Sequence, residues 1–241
     1  MPLGTFQGDI KVIDKPGLEY EKAIFYLRRQ KVIGFDTESR PVFAPGQRSH
    51  GVALLQLSGP KKAFLFRVQT LGMRNSLCSI LGNRKILKVG AAVADDVHGL
   101  QRIKQFTPGG FVDLQKIAWE WGIRDKSVKK LAAIILGCRV SKAQQLSNWE
   151  APELSPSQCK YAATDAWICR EMYFKLLESE KHPLSPEELL PPQDRVAHEA
   201  ALERKEANIA AEKLRAGTSK RKKRRRKKKS DGKADTEERK G

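Results

Sequence analysis

Two acidic side chains lie two residues apart at the end of an apolar run, in the segment VIGFDTE at residues 32–38. In a strand, side chains at positions i and i+2 project from the same face, so Asp36 and Glu38 point the same way. Their mutual repulsion must be relieved by a proton, a basic side chain or a divalent cation. The pair is therefore a candidate cation site, although a polar strand end that enters a loop would show the same two residues.

A third acid falls within the apolar face of a predicted helix, in the segment VADDVHGL at residues 93–100. At 100° per residue, Val93 and Val97 belong to one face, and Asp96 lies within it. The adjacent Asp95 points away from this face. We therefore expect Asp96 to face the interior of the protein and Asp95 to face solvent.

A fourth acid, Asp165, lies near the centre of the apolar face of a predicted helix at residues 156–178. An unpaired carboxylate on that face would be costly to bury, so Asp165 must meet a counter-charge or a metal ion. Tyr161 lies one turn earlier and projects beside Asp165. A tyrosine on an apolar face is, by itself, more often part of the core than part of a catalytic site.

Together, these four acids (Asp36, Glu38, Asp96 and Asp165) indicate a site for hard divalent cations. Ligand sets made only of oxygen suit Mg²⁺ or Mn²⁺. Two such ions, about 3.5–4 Å apart, can stabilise the attacking and leaving oxygens of a phosphoryl displacement. The pattern therefore predicts two divalent cations and no small-molecule cofactor.

The predicted helices and strands that would position these acids occur along the chain in an order typical of α/β proteins. A helical pattern at residues 17–30 precedes three strand-like runs, VIGFDTE, GVALLQLS and KAFLFRV. A helix around 71–82 leads to a short apolar strand at 86–90. Further helical patterns span residues 93–104, 113–122, 127–137 and 156–178. This order predicts an α/β fold with hairpins and at least one parallel crossover.

The composition is strongly basic. The 241 residues include 46 lysines and arginines against 28 acidic residues, for a net charge of +18. Residues 1–180 carry +10 and residues 181–241 carry +8. Such a charge favours a polyanionic partner, first of all nucleic acid. We expect a folded domain at 1–180, a proline-rich linker at 181–194 and a charged tail at 195–241.

The tail contains an uninterrupted basic run, KRKKRRRKKK. Its members are Lys220, Arg221, Lys222, Lys223, Arg224, Arg225, Arg226, Lys227, Lys228 and Lys229. A block of like charges repels itself and buries nothing, so we expect disorder in the unbound tail. We expect the run to bind the phosphate backbone, although a solubilising tail or a nuclear import signal would look the same. The expected location is the cytoplasm for a bacterial chain and the nucleus for a eukaryotic one.

Other classes of protein are excluded by simple patterns. No run of 18 apolar residues is present, so we expect no membrane span. The first residues lack the charged and apolar regions of a secretory signal. The four cysteines form no C-x-x-C pair, which argues against a zinc or disulfide framework. The sequence does not indicate an oligomeric state.

The segments around the acids resemble a known family. FDTE, the aspartate sixty residues further on at position 96, and YAATDA are similar to the three motifs of the DEDDy 3′–5′ exonucleases. The segments GVALLQLS, KVGAAVADD and SNWEAPELSPSQCKYAATDA also resemble this family, over roughly residues 10–178. The sequence resembles the exonuclease domain of Werner-type helicases and stand-alone bacterial relatives more than it resembles ribonuclease D.

The resemblance implies an RNase H-like fold, in which a mixed β-sheet is flanked by helices. It also implies that the four acids (Asp36, Glu38, Asp96 and Asp165) are metal ligands. Tyr161 would then help to position the attacking water. The implied activity is metal-dependent hydrolysis of the terminal phosphodiester at a 3′ end, with release of a nucleoside monophosphate.

Alternatives to this function stay open at the level of sequence. We expect DNA rather than RNA as the substrate, but trimming of RNA 3′ ends would use the same acids. A catalytically inactive nucleic-acid-binding module is another possibility, although all four acids are present. YAATDA argues against other RNase H-like enzymes such as transposases. Lys142 is a candidate phosphate contact, and Trp149 is more easily explained as a core residue than as a stacking platform.

Overall fold

The computed structural model describes residues 1–43, 50–191, 194–195, 197, 199–205 and 208–209. The chain divides into two compact units, Met1–Leu184 and Ser185–Gly241. The first unit contains all four acids. The basic run at residues 220–229 lies outside the described residues, so the expectations for it stay predictions.

The first unit contains six strands and seven α-helices within its described residues. The strands are β1 (Asp9–Ile13), β2 (Val32–Ser39), β3 (Val52–Ser58), β4 (Lys62–Arg67), β5 (Leu87–Gly90) and β6 (Phe111–Asp113). The helices are α1 (Leu18–Arg28), α2 (Val68–Leu71), α3 (Asn75–Gly82), α4 (Val93–Ile103), α5 (Leu114–Ile117), α6 (Val128–Leu136) and α7 (Pro156–Leu177), with a 3₁₀ helix at Ala118–Trp121.

The second unit contains a short helix, α8 (Pro186–Leu189), within its described residues. A reciprocal capping box of Ser185 and Glu188 starts this helix. None of the helices in the described part of the chain has the length and hydropathy needed to cross a membrane.

The six strands form one mixed sheet in the order β1-β4-β3-β2-β5-β6. Strands β2, β3 and β4 form an antiparallel meander at the centre. Strand β5 pairs with β2 in parallel, and β6 and β1 add parallel strands at the two edges. The predicted hairpins and parallel crossover are therefore confirmed.

The two faces of β2 have different neighbours. Ile33 and Phe35 enter a core shared with α1, α3 and α4. Gly34 lies on the other face, where a Cβ atom would come within 1.8 Å of the carbonyl oxygen of Ala166 in α7. Only glycine permits this approach, so α7 packs directly on the backbone of β2.

Two strands were absent from the sequence prediction. Strand β1 lies at an edge and has mostly exposed side chains, so it shows no clean alternation. Strand β6 has three residues, too few for a periodic pattern. Two predicted helices also have different bounds. The helix predicted around 71–82 begins at Asn75, because α2 ends at Gly72, which has a φ of 69°. The helix predicted at 113–122 consists of α5 followed by a 3₁₀ helix.

Candidate active site

The second half of β2 carries Asp36 and Glu38 on the face that α7 covers. Antiparallel pairing with β3 supports this segment, with Asp36 opposite Gln56 and Glu38 opposite Leu54. The register then shifts between Glu38 and Ser39, so regular pairing is interrupted directly after the second acid. The two carboxylates therefore project from a well-paired part of the sheet close to its end.

Helix α7 places Asp165 over the same part of β2. The helix starts at a capping box, in which the Ser155 side chain accepts from the N–H of Gln158 and the Gln158 side chain accepts from the N–H of Ser155. This cap defines the start of a 22-residue helix. Because the helix packs closely at Gly34, its Asp165 comes near the two acids of the strand.

Three of the four predicted acids converge. Asp36, Glu38 and Asp165 each offer a carboxylate oxygen, and these oxygens lie within 4.8 Å of one another. Among the described residues, no lysine, arginine or histidine forms an ion pair with any of the three. The cluster is therefore a concentration of acidic groups without a direct basic partner in the described chain.

Asp96 lies beside this group and not within it. Its carboxylate accepts a hydrogen bond of 2.5 Å from the hydroxyl of Thr37. The turn before α4 sets its position, because Ala92 adopts a left-handed φ of 58° and its N–H donates to the carboxylate of Asp113 over 3.1 Å. Asp95 is exposed, as expected.

Burial is the main cause of raised pKa values throughout this group. It raises the pKa of Glu38 to about 9, and the charges of Asp165 and Asp96 add to the effect. Burial, followed by the charge of Asp165, raises the pKa of Asp36 well above its usual range. Loss of water also raises the pKa of Asp165 to about 7 and that of Asp96 to about 6. A bound cation would favour the ionised form of each of these carboxyl groups.

Tyr161 lies beside the carboxylates, as its spacing predicts. Its hydroxyl interacts with the Asp165 side chain and lowers the pKa of that carboxyl, and burial raises the pKa of the phenol. The Tyr161 ring packs against Trp149, with 6.0 Å between the ring centroids. Trp149 is fully buried, so it supports the tyrosine from within the core and offers no exposed stacking surface.

A cleft of about 370 Å³ opens at the carboxylates. Its lining includes the three converging acids, Tyr161, and the two lysines Lys129 and Lys142. The charge of Lys129 lowers the pKa of Asp165, so this ammonium acts on the acidic group through space, without forming an ion pair with it. Within the described residues, neither lysine forms an ion pair with an acidic side chain. Both can therefore interact with an anion that enters the cleft.

The donor set fits a hard divalent cation. Its three donors are carboxylate oxygens, which Mg²⁺ and Mn²⁺ prefer. The thiol of Cys169 also lines the cleft, but burial raises its pKa, so it stays protonated and is a poor ligand. Elsewhere in the described part of the chain, no comparable group of histidine, cysteine or acidic side chains occurs.

The structure thus brings four predicted residues together at one cleft (Asp36, Glu38, Tyr161 and Asp165) and places Lys142 in its lining. The predicted basic contacts at residues 220–229 lie outside the described residues. The role of Thr37, which donates a hydrogen bond to Asp96, was not predicted from the sequence. The available signal was its place between the two acids of FDTE, on the opposite face of the strand.

Comparison with known proteins identifies the family. The profile of a 3′–5′ exonuclease family matches residues 16–179, which is more than half of the chain. The chain therefore belongs to the 3′–5′ exonuclease family and carries a 3′–5′ exonuclease domain. The resemblance drawn from the three acidic motifs is confirmed.

Two curated relatives illustrate the range of this similarity. The mouse bifunctional 3′-5′ exonuclease/ATP-dependent helicase WRN is 33% identical over 156 residues, which cover 60% of this chain and 11% of the mouse protein. DNA polymerase I of Aquifex aeolicus is 27% identical over 156 residues, which cover 65% of this chain and 25% of the polymerase. The chain thus spans only a minor part of the length of these relatives.

Solved structures confirm the fold. The EXO domain of Aedes aegypti Nibbler superposes with a TM-score of 0.63 at 21% identity, covering 72% of this chain and 91% of that domain. Escherichia coli RNase D superposes with a TM-score of 0.62 at 22% identity, covering 70% of this chain and 44% of that protein. The six-stranded mixed sheet flanked by helices is the RNase H-like exonuclease fold that the sequence predicts.

Proposed function

We propose that this domain is a metal-dependent exonuclease of the DEDDy type, which hydrolyses the terminal phosphodiester at a 3′ end and releases nucleoside monophosphates. The observation that carries the proposal is the convergence of Asp36, Glu38 and Asp165 at a cleft that also contains two lysines. A nucleic acid strand and a carboxylate cluster repel each other unless cations lie between them. Membership of the 3′–5′ exonuclease family supports the direction of hydrolysis.

Two divalent cations, Mg²⁺ or Mn²⁺, are the proposed cofactors. Asp36, Glu38 and Asp165 would hold them, and Asp96, held beside the group by Thr37, completes the proposed ligand set. When bound, such cations lower the pKa of a water molecule and stabilise the charge that develops on the leaving 3′ oxygen.

Tyr161 is proposed to orient the attacking water. A phenol has an ordinary pKa of about 10 and keeps its proton near pH 7, so it acts as a hydrogen-bonding group and not as the main base. Packing against the buried Trp149 restricts the tyrosine ring, and the hydroxyl lies close enough to Asp165 to lower the pKa of that carboxyl. The chain therefore places this hydroxyl beside the carboxylates before the substrate arrives.

Lys129 and Lys142 are proposed to bind phosphates of the substrate strand. Both line the cleft, and their charge partly offsets the repulsion between the strand and the acids. The basic run at residues 220–229 is proposed to add sequence-independent affinity for the backbone, and this rests on its composition alone.

DNA is proposed as the substrate ahead of RNA. The similarity to DNA polymerase I at the level of sequence supports DNA. Trimming of RNA is the alternative, which is supported by the likeness of fold to RNase D and to a Trypanosoma brucei RNase D solved in complex with RNA U12. Carboxylates, cations and lysines act on phosphates, which both polymers share.

A direct assay tests the reaction and the substrate together. The protein is incubated with 5′-labelled single-stranded DNA, recessed-3′ duplex DNA and matching RNA, with Mg²⁺, Mn²⁺ or EDTA. We expect a ladder that shortens from the 3′ end with either metal, and no shortening with EDTA or in the Asp36→Asn variant. Relative rates on the substrates then decide between DNA and RNA.

A catalytically inactive binding module would give a different pattern in the same assay. It would retain labelled nucleic acid in a filter-binding measurement but leave every substrate intact with both metals. That outcome would contradict the proposed hydrolysis while leaving the nucleic-acid partner in place.

A further inference from the structure

One buried amide in the sheet has no hydrogen-bond partner. Gln56 in β3 is fully buried, and neither its Nε2 nor its Oε1 contacts a hydrogen-bonding group among the described residues. A buried donor or acceptor left in this way costs about 1–3 kcal/mol. Such an exception requires a specific reason, since most buried polar side-chain atoms in folded proteins are paired.

The strand register shows where this amide can act. Gln56 lies between β2 and β4, directly opposite Asp36 on one side and Leu65 on the other. Directly opposed residues of antiparallel strands share a face, with Cβ atoms about 4.5–5.5 Å apart. Asp36 is therefore the polar neighbour of Gln56 across the sheet, and Leu65 offers no hydrogen-bonding group.

Other neighbours on this face do not compete for the amide. Leu54, two residues earlier, is apolar and buried. Ser58, two residues later, already donates its hydroxyl to the carbonyl of Gly59 over 2.9 Å. Above the sheet, α7 contributes the buried alanines Ala162 and Ala163. Trp149 belongs to the same buried cluster, and its Nε1 also has no hydrogen-bond partner among the described residues, but an indole N–H can only donate. Of the neighbours considered, Asp36 is thus the one that offers an acceptor to the amide N–H.

We propose that Gln56 is a positioning residue for Asp36. In the metal-bound protein, its amide N–H would donate to the Asp36 carboxylate and hold that carboxylate in the orientation in which it binds a divalent cation. The inference rests on the proposed metal site, and it explains why a polar residue lies within the otherwise apolar run of β3. Loss of a residue that hydrogen-bonds to a metal ligand typically lowers the affinity for the metal 10–100-fold.

The test compares Mn²⁺ affinity with stability in two matched variants. Gln56→Met removes the amide at nearly constant volume, and Leu54→Met makes a similar change at the neighbouring position opposite Glu38. Mn²⁺ binding is measured by titration calorimetry, and the metal-free proteins are unfolded in urea. We expect Gln56→Met to weaken Mn²⁺ binding about 10–100-fold. It should leave metal-free stability unchanged or higher, because an unpaired buried amide has been removed.

The Leu54→Met control shows which results would contradict the proposed role of Gln56. Leu54→Met should bind Mn²⁺ as the wild-type protein does, since it removes no polar group. Equal Mn²⁺ affinity of Gln56→Met and wild type would overturn the inference, as would an equal loss in Leu54→Met. If Gln56→Met does not fold, Gln56→Leu is measured and judged in the same way.

The same data separate this inference from the proposed function. Wild-type protein that binds no Mn²⁺ would contradict the metal site itself, and the role of Gln56 with it. Wild-type protein that binds Mn²⁺ and shortens DNA, alongside a Gln56→Met variant of equal affinity, would contradict the positioning role alone.

Discussion

Neighbouring parallel strands of the sheet bury ionisable groups in opposite ways. In β5, Lys88 is fully buried, and its ammonium donates to the carbonyls of Asn83 and Ile86, each over 2.7 Å. The same nitrogen lies 5.2 Å from the ring centroid of Phe111. In β2, the carboxylates of Asp36 and Glu38 have no basic partner within the described residues.

The presence or absence of bonding partners distinguishes the buried charge of Lys88, which has a structural role, from the buried acids, for which a function is proposed. The chain itself satisfies Lys88, and burial lowers its pKa to about 8, so it can also release its proton. The acids instead face one another, and their ionised form requires positive charge from outside the chain. A buried group that the fold leaves unneutralised at a cleft is a candidate for function, whereas one enclosed by backbone carbonyls is not.

The largest expected effect is the loss of activity in Asp165→Asn. The variant removes a proposed ligand, and hydrolysis with Mg²⁺ should fall about a thousandfold, since metal ions supply several kcal/mol at such sites. The metal-free variant should unfold at a higher urea concentration than wild type, because one of several repelling acids is gone. Exposed Asp95→Asn is the control and should change neither property. Activity within tenfold of wild type would contradict the assignment.

Binding of Mn²⁺ should stabilise the folded domain through the acids of β2 and independently of Lys88. At a concentration of 100 times its dissociation constant, a ligand that binds only the folded state adds about 2.7 kcal/mol to the free energy of unfolding. Thermal unfolding should therefore shift upward with Mn²⁺ in wild type and equally in Lys88→Met. The shift should be lost in Asp165→Asn. An unchanged wild-type midpoint over the full Mn²⁺ titration would count against the cation site.

The smallest expected effect is a pH dependence of the free energy of unfolding that comes from Lys88. Because its folded pKa of about 8 lies below the ordinary 10.5, the penalty for burying the charge is complete below pH 8 and absent above pH 10.5. Wild type should therefore gain stability relative to Lys88→Met as the pH rises, by on the order of 2 kcal/mol between pH 7 and pH 10. Urea unfolding across this range measures the difference. Exposed Lys85→Met is the matched control, and an equal pH slope in both variants would contradict the interpretation.

Much of the site could be predicted from local patterns. The two-residue spacing in FDTE places Asp36 and Glu38 on one face, and helical spacing places Asp165 and Tyr161 together. Asp96 was expected in the same ligand group, but the structure holds it beside the group through Thr37. Helical periodicity gives the direction of a side chain around its own axis, and it does not give its distance from another element.

The buried partners were harder to predict. Lys88 lies in a short apolar strand, and its burial depends on the carbonyls of the turn before β5 and on the ring of Phe111, which is 23 residues away in sequence. The signal for Gln56 was present as a single polar residue within LLQLS. Its meaning depends on the register that sets it opposite Asp36.

The sequence by itself determined the class of the fold, the acidic motifs, and the faces on which the acids lie. Tertiary structure decided which acids converge, because the strand and the helix are separated by more than a hundred residues of chain. Their approach depends on the packing of Ala166 against Gly34, a contact that no local pattern encodes. Periodicity orients side chains within one element, and only packing between elements sets the distances at which charges repel, share a cation or meet a partner.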